Sequence, residues 1–376
     1  MAENPLLIVV NFFKQMQGQP CIVFLGGYPY PSRLGDGYYQ RVASIGQQLS
    51  SFYQIYIDRK DLPDKTGWLD CPQPGILSLS IRHNWVARLT AIICILLAKK
   101  LYVHSIYPLK HLLFLLRLPH VLKLVDFHGA VPEEQSMMND LKTSRQLEKM
   151  EKIAIDRADR YIFVTEAMVE HFSKKYHVSF SSNYFTIPIV PKLSSTIPSK
   201  PPIIDKPVVV YAGGIQVWQK IPEMIAAISN TVDAYQFRLF TTQPEEMRSL
   251  LYAKGVDHTN IEISRKTHAE IIEIYKDCHF GFLLRDDHVV NQVACPTKLI
   301  EYLAFGVLPI LINVRIGDFS SMGMRYLSLT DFVNLKIPHQ NNLKEMVEQN
   351  YNVYQSLQTK HNMEMELLKQ YLSVER

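Results

Sequence analysis

Short unbroken apolar runs alternate along the chain with stretches whose apolar positions recur every three to four residues. The runs are CIVFLGG (21–27), KLYVHS (100–105), VLKLVDFHG (121–129) and RYIFVTE (160–166), then VVVYAGG (208–214), FRLFTT (237–242), IEIS (261–264), HFGFLL (279–284) and VLPILI (307–312). Runs of this kind, bounded by glycine or polar residues, predict strands buried on both faces. Helical spacing marks YYQRVASIGQQLSS (38–51), AMVEHFSKKY (167–176), PTKLIEYLAF (296–305) and the long tail 343–372. Strand and helix in alternation predict βαβ units and parallel sheets, an α/β protein.

Between 187 and 206 the sequence becomes IPIVPKLSSTIPSKPPIIDK. No helix survives that density of proline, so this stretch is the expected linker. The strand pattern restarts after it, and 376 residues exceed what one core usually grows to. The expected organisation is a domain over 1–195, a second over 205–340, and a helical tail over 341–376 that reaches back onto the first. In open parallel sheets ligands bind beyond the carboxyl ends of the strands, so the loops after these runs are where chemistry is expected.

Composition narrows the class. Apolar residues at 47% and charged residues at 20% suit a globular protein and exclude a disordered or fibrous one. Five cysteines (Cys21, Cys71, Cys94, Cys278, Cys295), odd in number and without a CxxC pair, predict reduced thiols rather than a disulfide framework or a zinc site. The opening MAENPLLIVVNFFKQ lacks a basic n-region and does not read as a secretory signal. The most apolar stretch, 85–100, is interrupted by Arg88, whereas a spanning helix needs roughly 20 apolar residues. The expectation is a cytoplasmic protein, not an integral membrane one.

Net charge is only +4, but no acidic residue falls between Asp70 and Asp126, while Arg82, Arg88, Lys99, Lys100, Lys110, Arg117 and Lys123 all do, with His83, His104, His111 and His120. Residues 82–123 therefore read either as a surface that rests on an anionic membrane or faces a phosphorylated acceptor, or as core-packing helices with snorkelling cations. Nucleic acid is not expected, because no aromatic stacking platform or recognition helix accompanies the charge.

The densest chemistry lies in CPTKLIEYLAFGVLPI (295–310). Pro296 is expected in the first turn of a helix and Gly306 at its end. The free N–H groups of Thr297 and Lys298 would welcome an anion. Glu301, one turn further, carries a carboxylate that can accept two hydroxyl hydrogen bonds, as a ribose diol requires. Phosphate plus diol describes a nucleoside diphosphate; an exposed Glu301 paired with Lys298 is the alternative.

This segment resembles the donor-binding motif of the retaining GT-B glycosyltransferases, family 4 in particular: Pro296, Lys298, Glu301, Tyr302, Ala304, Gly306 and Pro309 fall at matching positions. The resemblance covers both halves of the chain, most strongly residues 205–315. It implies two Rossmann-like domains with parallel sheets facing across a cleft, the first binding an acceptor and the second a nucleotide-sugar donor. It implies a hexosyl transfer to an acceptor hydroxyl, with a lipid-linked or surface-polysaccharide saccharide as acceptor and the inner face of the cell membrane as the setting. The implied donor residues are Gly213, Gly214, Lys220, Arg285, Asn291, Pro296, Thr297, Lys298 and Glu301. Lys220 and Glu301 are the implied catalytic residues with His128, which would orient the sugar. Gly35, Asp36 and Gly37, in the loop GGYPYPSRLGDG, would approach a phosphate or the acceptor, and Thr165 and Glu166 would border the acceptor.

Two positions depart from the pattern. Ile215 and Gln216 stand where an arginine usually follows the glycine pair, and Val293 where a second carboxylate usually precedes Glu301. Lys298 or Arg285 would then neutralise the diphosphate, and Asp286, Asp287 or Asn291 would meet sugar hydroxyls. The pair Asp286–Asp287 also suits a divalent cation in principle, but the resemblance implies neither a metal nor a cofactor. The rival readings are a nucleotide-sugar 2-epimerase of the same fold and a catalytically silent scaffold subunit.

Overall fold

In the computed structural model of the chain, residues 4–16, 18–34, 36–63, 67–82, 84–110, 112–191, 193, 198, 200, 202–203, 205–256 and 259–374 are described. Gly35, His83, His111 and part of the proline-rich 187–206 stretch lie outside them. The chain divides into two compact units, Met1–Ile187 with Asn362–Arg376, and Pro188–His361.

In the first unit α1 (Pro5–Met16) leads to β1 (Cys21–Leu25) and α2 (Gly37–Gln48), then β2 (Tyr53–Asp58), β3 (Leu69–Gln73), β4 (Ile76–Ser80) and α3 (Trp85–Ala98). There follow β5 (Lys100–His104), β6 (Leu122–Phe127), α4 (Val131–Met137), α5 (Leu141–Arg157), β7 (Arg160–Phe163), α6 (Glu166–Tyr176) and β8 (Tyr184–Thr186). The sheet runs β3-β4-β2-β1-β5-β6-β7-β8, parallel throughout except where β3 pairs antiparallel with β4. Every residue of β1 is buried, which is why its sequence is apolar without alternation. The strand order turns around β1, so chain progression switches direction between β1 and β5.

The second unit holds β9 (Val208–Ala212), α7 (Ile221–Thr231), β10 (Gln236–Phe240), α8 (Pro244–Tyr252), β11 (Ile261–Ser264), α9 (His268–Tyr275) and β12 (Phe280–Phe282). It continues through α10 (Val289–Gln292), α11 (Thr297–Phe305), β13 (Leu308–Leu311), β14 (Leu327–Ser328), α12 (Leu329–Val333) and α13 (Gln340–Ser373). Its sheet is fully parallel, β11-β10-β9-β12-β13-β14, and reverses direction between β9 and β12. Val209, Phe237, Phe282 and Ile310 fill its core, joined by Leu343 and Val347 from α13. The far end of α13 supplies Met365, Leu368 and Leu372 to the core of the first unit. Among the described residues no helix is long and apolar enough to cross a membrane.

Candidate functional site

The reversal between β9 and β12 sets the loops after these two strands side by side, the position where doubly wound sheets leave a crevice. Gly213 and Gly214 follow β9, and Arg285 follows β12. Lys298 joins them from the first turn of α11. An added Cβ on Gly213 would lie 2.7 Å from Lys298 Nζ and 3.2 Å from the Tyr211 hydroxyl, so only glycine leaves room for the ammonium. That ammonium sits 4.1 Å from the centroid of the Tyr211 ring, is buried, and has no hydrogen-bond partner among the described residues. Burial, aided by Arg285, pulls its pKa down to about 7. The Arg285 Nε is likewise buried and without a partner, and burial lowers the guanidinium as well. Two cationic side chains thus share one corner, and among the described residues no carboxylate is bonded to either group. Such an arrangement is costly for the protein alone and favourable for an anion with several acceptor oxygens.

Sequence places Pro296 in the first helical turn; in the structure it is the N-cap, with Thr297 first in α11, because its ψ of 119° is extended. Gly306 ends the helix in the left-handed region at φ 68°. By ordinary helix geometry the N–H groups of Thr297 and Lys298 have no partner within α11. Glu301 is not the exposed partner of Lys298. Its side chain is 7% exposed, and it accepts hydrogen bonds from His268 Nε2 at 2.8 Å and from the Tyr275 hydroxyl at 3.4 Å. His268, the first residue of α9 and 61% exposed, has its pKa raised by that hydrogen bond. The carboxylate offers about four lone-pair positions, so these two bonds leave acceptor capacity for a diol.

Lys220 sits at the N-cap of α7 with φ 53°, and its ammonium is shared between Glu223 at 2.7 Å and Asp286 at 2.9 Å. Asp287 accepts from Gln292 and Asn313 and pairs with Arg315. The two loop carboxylates are therefore each matched to a cation of the chain. Asn291 is buried and donates to the backbone carbonyl of Asp286 at 3.0 Å, bracing this loop from within. Val293 is buried as well.

The first unit gathers a second polar cluster at the ends of β5 and β6. Asp126 is fully buried and held by Arg41, whose Nε and Nη2 each lie 3.2 Å from one of its oxygens, and by the Tyr102 hydroxyl at 2.7 Å. Arg41 also donates to the carbonyl of Ile187. Burial alone would raise the Asp126 pKa; Arg41 and His128 outweigh it and hold the carboxyl far below its usual range. His128, just past β6, places Nε2 3.2 Å from Asp126 Oδ2, near but poorly aligned for a hydrogen bond. His104 packs beside it, buried, with neither ring nitrogen hydrogen-bonded among the described residues and its pKa pushed down by burial. His104, Asp126 and His128 could surround a cation by distance, yet Arg41 already supplies Asp126 with a positive charge and makes a divalent ion unfavourable there.

Asp36 caps α2 by accepting from the backbone of Tyr38 at 2.9 Å, and Gly37 begins that helix. An added Cβ on Gly37 would meet nothing within 4 Å, so crowding within the chain does not demand glycine there. Thr165 caps α6 and Glu166 accepts from the Tyr184 hydroxyl.

Arg41, Tyr102, His104, Asp126, Tyr211, His268 and Tyr275 escape a reading by motif. Two of them leave a trace in sequence: Arg41 interrupts the apolar face of α2, and His104 ends a strand as His128 does.

No family model matches the chain, and no curated protein matches it. Solved structures do. Sucrose-phosphate synthase from Thermosynechococcus elongatus superposes with a TM-score of 0.72 at 14% identity, covering 94% of this chain and 99% of that one. HepE from Anabaena, solved in complex with UDP-glucose, gives 0.66 at 12%, covering 93% and 99%. A trehalose-6-phosphate structure from E. coli, bound with UDP-2-fluoro glucose, gives 0.62 at 12%, covering 95% and 99%. At these identities the likeness is one of architecture, and the architecture of this chain is the GT-B fold.

Proposed function

We propose that the protein is a retaining, family 4-like glycosyltransferase that moves a hexosyl group from a nucleoside-diphosphate sugar to an acceptor hydroxyl. The observation that carries this reading is the buried Lys298 ammonium against Gly213, with the buried Arg285 Nε in the same corner and neither atom partnered among the described residues, at the reversal point of the second sheet. The nucleotide sugars bound in the HepE and E. coli structures of the same fold agree with it. The second unit then takes the donor. Lys298, Arg285 and the start of α11 meet the diphosphate, and Glu301, steadied by His268 and Tyr275, takes the ribose diol. Lys220 joins them by exchanging Asp286 or Glu223 for a phosphate oxygen.

In such a transfer the anomeric centre becomes oxocarbenium-like while charge grows on the departing diphosphate, so fixed donors and cations at that position lower the barrier. The leaving phosphate takes the acceptor proton on the same face, and His128 orients the sugar without acting as a base. Neither metal nor cofactor enters this scheme. The first unit takes the acceptor, a lipid-linked or surface-polysaccharide saccharide, with the protein peripheral at the cytoplasmic membrane face through residues 82–123. A thermal-shift screen against nucleotide sugars tests the donor half. A ligand at 100 times its Kd stabilises by about 2.7 kcal/mol, and no shift with any nucleotide sugar refutes the assignment.

A further inference from the structure

We propose that α3 and the groove beside it form a lipid site, in which one hydrocarbon chain of an anionic bilayer lipid enters the groove and the outer face of α3 lies on the bilayer. The inference specifies the membrane contact of the preceding reading and does not depend on the transfer reaction.

The sequence of α3, WVARLTAIICILLA, carries one charge, Arg88, and no acid. A helix apolar on all sides is normally enclosed. Here only part is: Ala87, Thr90, Ala91, Cys94, Ile95 and Ala98 are buried. Trp85, Leu89, Ile93, Leu96 and Leu97 are 75, 51, 45, 45 and 57% exposed. The spacing 85, 89, 93, 96 aligns these side chains along one stripe, not as isolated surface residues.

Beside that stripe α3 borders a groove of about 360 Å³ lined by Ile81, Ile92, Ile95, Leu112 and Phe114. The volume lies at the lower end of the range for bound organic ligands. Two exposed arginines, Arg59 and Arg88, also line it. Arg59 donates to the carbonyl of Lys110, and Arg88 to those of Ile81 and Arg82. Among the described residues neither forms an ion pair, whereas the neighbouring Arg82 meets Asp61 at 2.5 Å. Both guanidiniums therefore keep their charge for an outside anion.

The occupant must be apolar along the stripe and anionic at the arginines. A lipid with a negatively charged headgroup meets both demands, and Trp85 at the end of the helix suits the bilayer interface. The absence of acidic residues from 71 to 125 removes the repulsion that would oppose such a surface.

The test is flotation of the full chain with vesicles of phosphatidylcholine, with and without phosphatidylglycerol. Binding is expected only to the anionic vesicles and should weaken about fivefold for each arginine changed in Arg59→Gln and Arg88→Gln. The double variant Ile93→Glu with Leu97→Glu should lose at least tenfold. Both of its positions are exposed, and an unchanged melting temperature verifies that it folds. The emission of Trp85, isolated by comparison with Trp85→Phe, should shift to the blue and be quenched by brominated lipid chains. No flotation with anionic vesicles overturns the proposal, as does flotation indifferent to the Glu pair. So does a dimer in sedimentation that this pair dissolves, since a second copy would then cover the face. Nucleotide-sugar binding is measured separately, so the loss of one result leaves the other readable.

Discussion

Lys298 should cost the free protein stability, and replacing it should reveal the cost. The ammonium is buried against Tyr211 without a hydrogen-bond partner, and its pKa falls from 10.5 to about 7. Between those values the unfolded chain carries a proton that the folded one lacks, so stability rises with pH from about 7 to about 10.5. Below 7 the penalty is complete. At 1.36 kcal/mol per pKa unit it amounts to about 5 kcal/mol at most. Lys298→Met keeps the length of the side chain and removes the charge. If about 2 kcal/mol of the penalty is recovered, the melting temperature at pH 6 should rise by about 4–8 °C, with a smaller gain at pH 9. The same variant should lose nucleotide-sugar binding. In the wild-type protein a bound diphosphate would keep the lysine charged, so binding above pH 7 takes up a proton. For UDP-glucose, whose diphosphate does not titrate in this range, the Kd should weaken by about 25-fold between pH 6.5 and 8.5. Calorimetry in buffers of different ionisation enthalpy reads both the affinity and the proton. A Lys298→Met protein that is less stable than wild type at pH 6, or that binds UDP-glucose unchanged, would refute the reasoning.

Gly213→Ala puts a methyl 2.7 Å from Lys298 Nζ; it should weaken nucleotide-sugar affinity at least tenfold in the same calorimetric assay while the chain stays folded by circular dichroism. Glu301→Ala removes the acceptor for His268 and Tyr275 and for the proposed diol; donor KM should rise or transfer vanish, and an unchanged nucleotide Kd would sink that role. Asp126→Ala strands Arg41 in a fully buried site, which should destabilise the protein by about 3–5 kcal/mol in urea unfolding. Because the Asp126 pKa is depressed, the stability this carboxylate contributes is complete above about pH 4 and is lost only as pH falls toward its native value.

Strands such as VVVYA and CIVFL were legible because burial on both sides leaves an unbroken apolar run, whereas β2 and β4, also largely buried, were missed because Gln54, Ser78 and Ser80 interrupt theirs. β3 was missed because LDCPQ contains a proline that only an edge strand tolerates, and β3 is the edge. α1, over PLLIVVNFFKQM, passed as an apolar opening because its apolar residues run on without a clear period, although Asn4 caps it by accepting from the Leu6 N–H and Pro5 opens it. The helix at 297–305 was readable because its proline, lysine, glutamate and glycine are local. What gives Lys298 its character is not local. Gly213, Tyr211 and Arg285 come from two other strand ends, and only the adjacency of β9 and β12 brings them together. The bond from Arg41 to Asp126 spans 85 residues of sequence and has no periodic signature. Lys220 shows the converse case: its position was readable, but its two carboxylate partners were not.

Release of nucleoside diphosphate from a panel of nucleotide sugars, with and without saccharide or lipid-linked acceptors, tests glycosyl transfer most directly when wild type and Lys298→Met are run side by side. The account predicts that wild-type protein releases the diphosphate from at least one donor, faster with a productive acceptor. It predicts that the product keeps the anomeric configuration of the donor and that Lys298→Met is silent. A wild-type protein that neither binds nor cleaves any nucleotide sugar would contradict it, and so would a Lys298→Met protein that turns over at the wild-type rate.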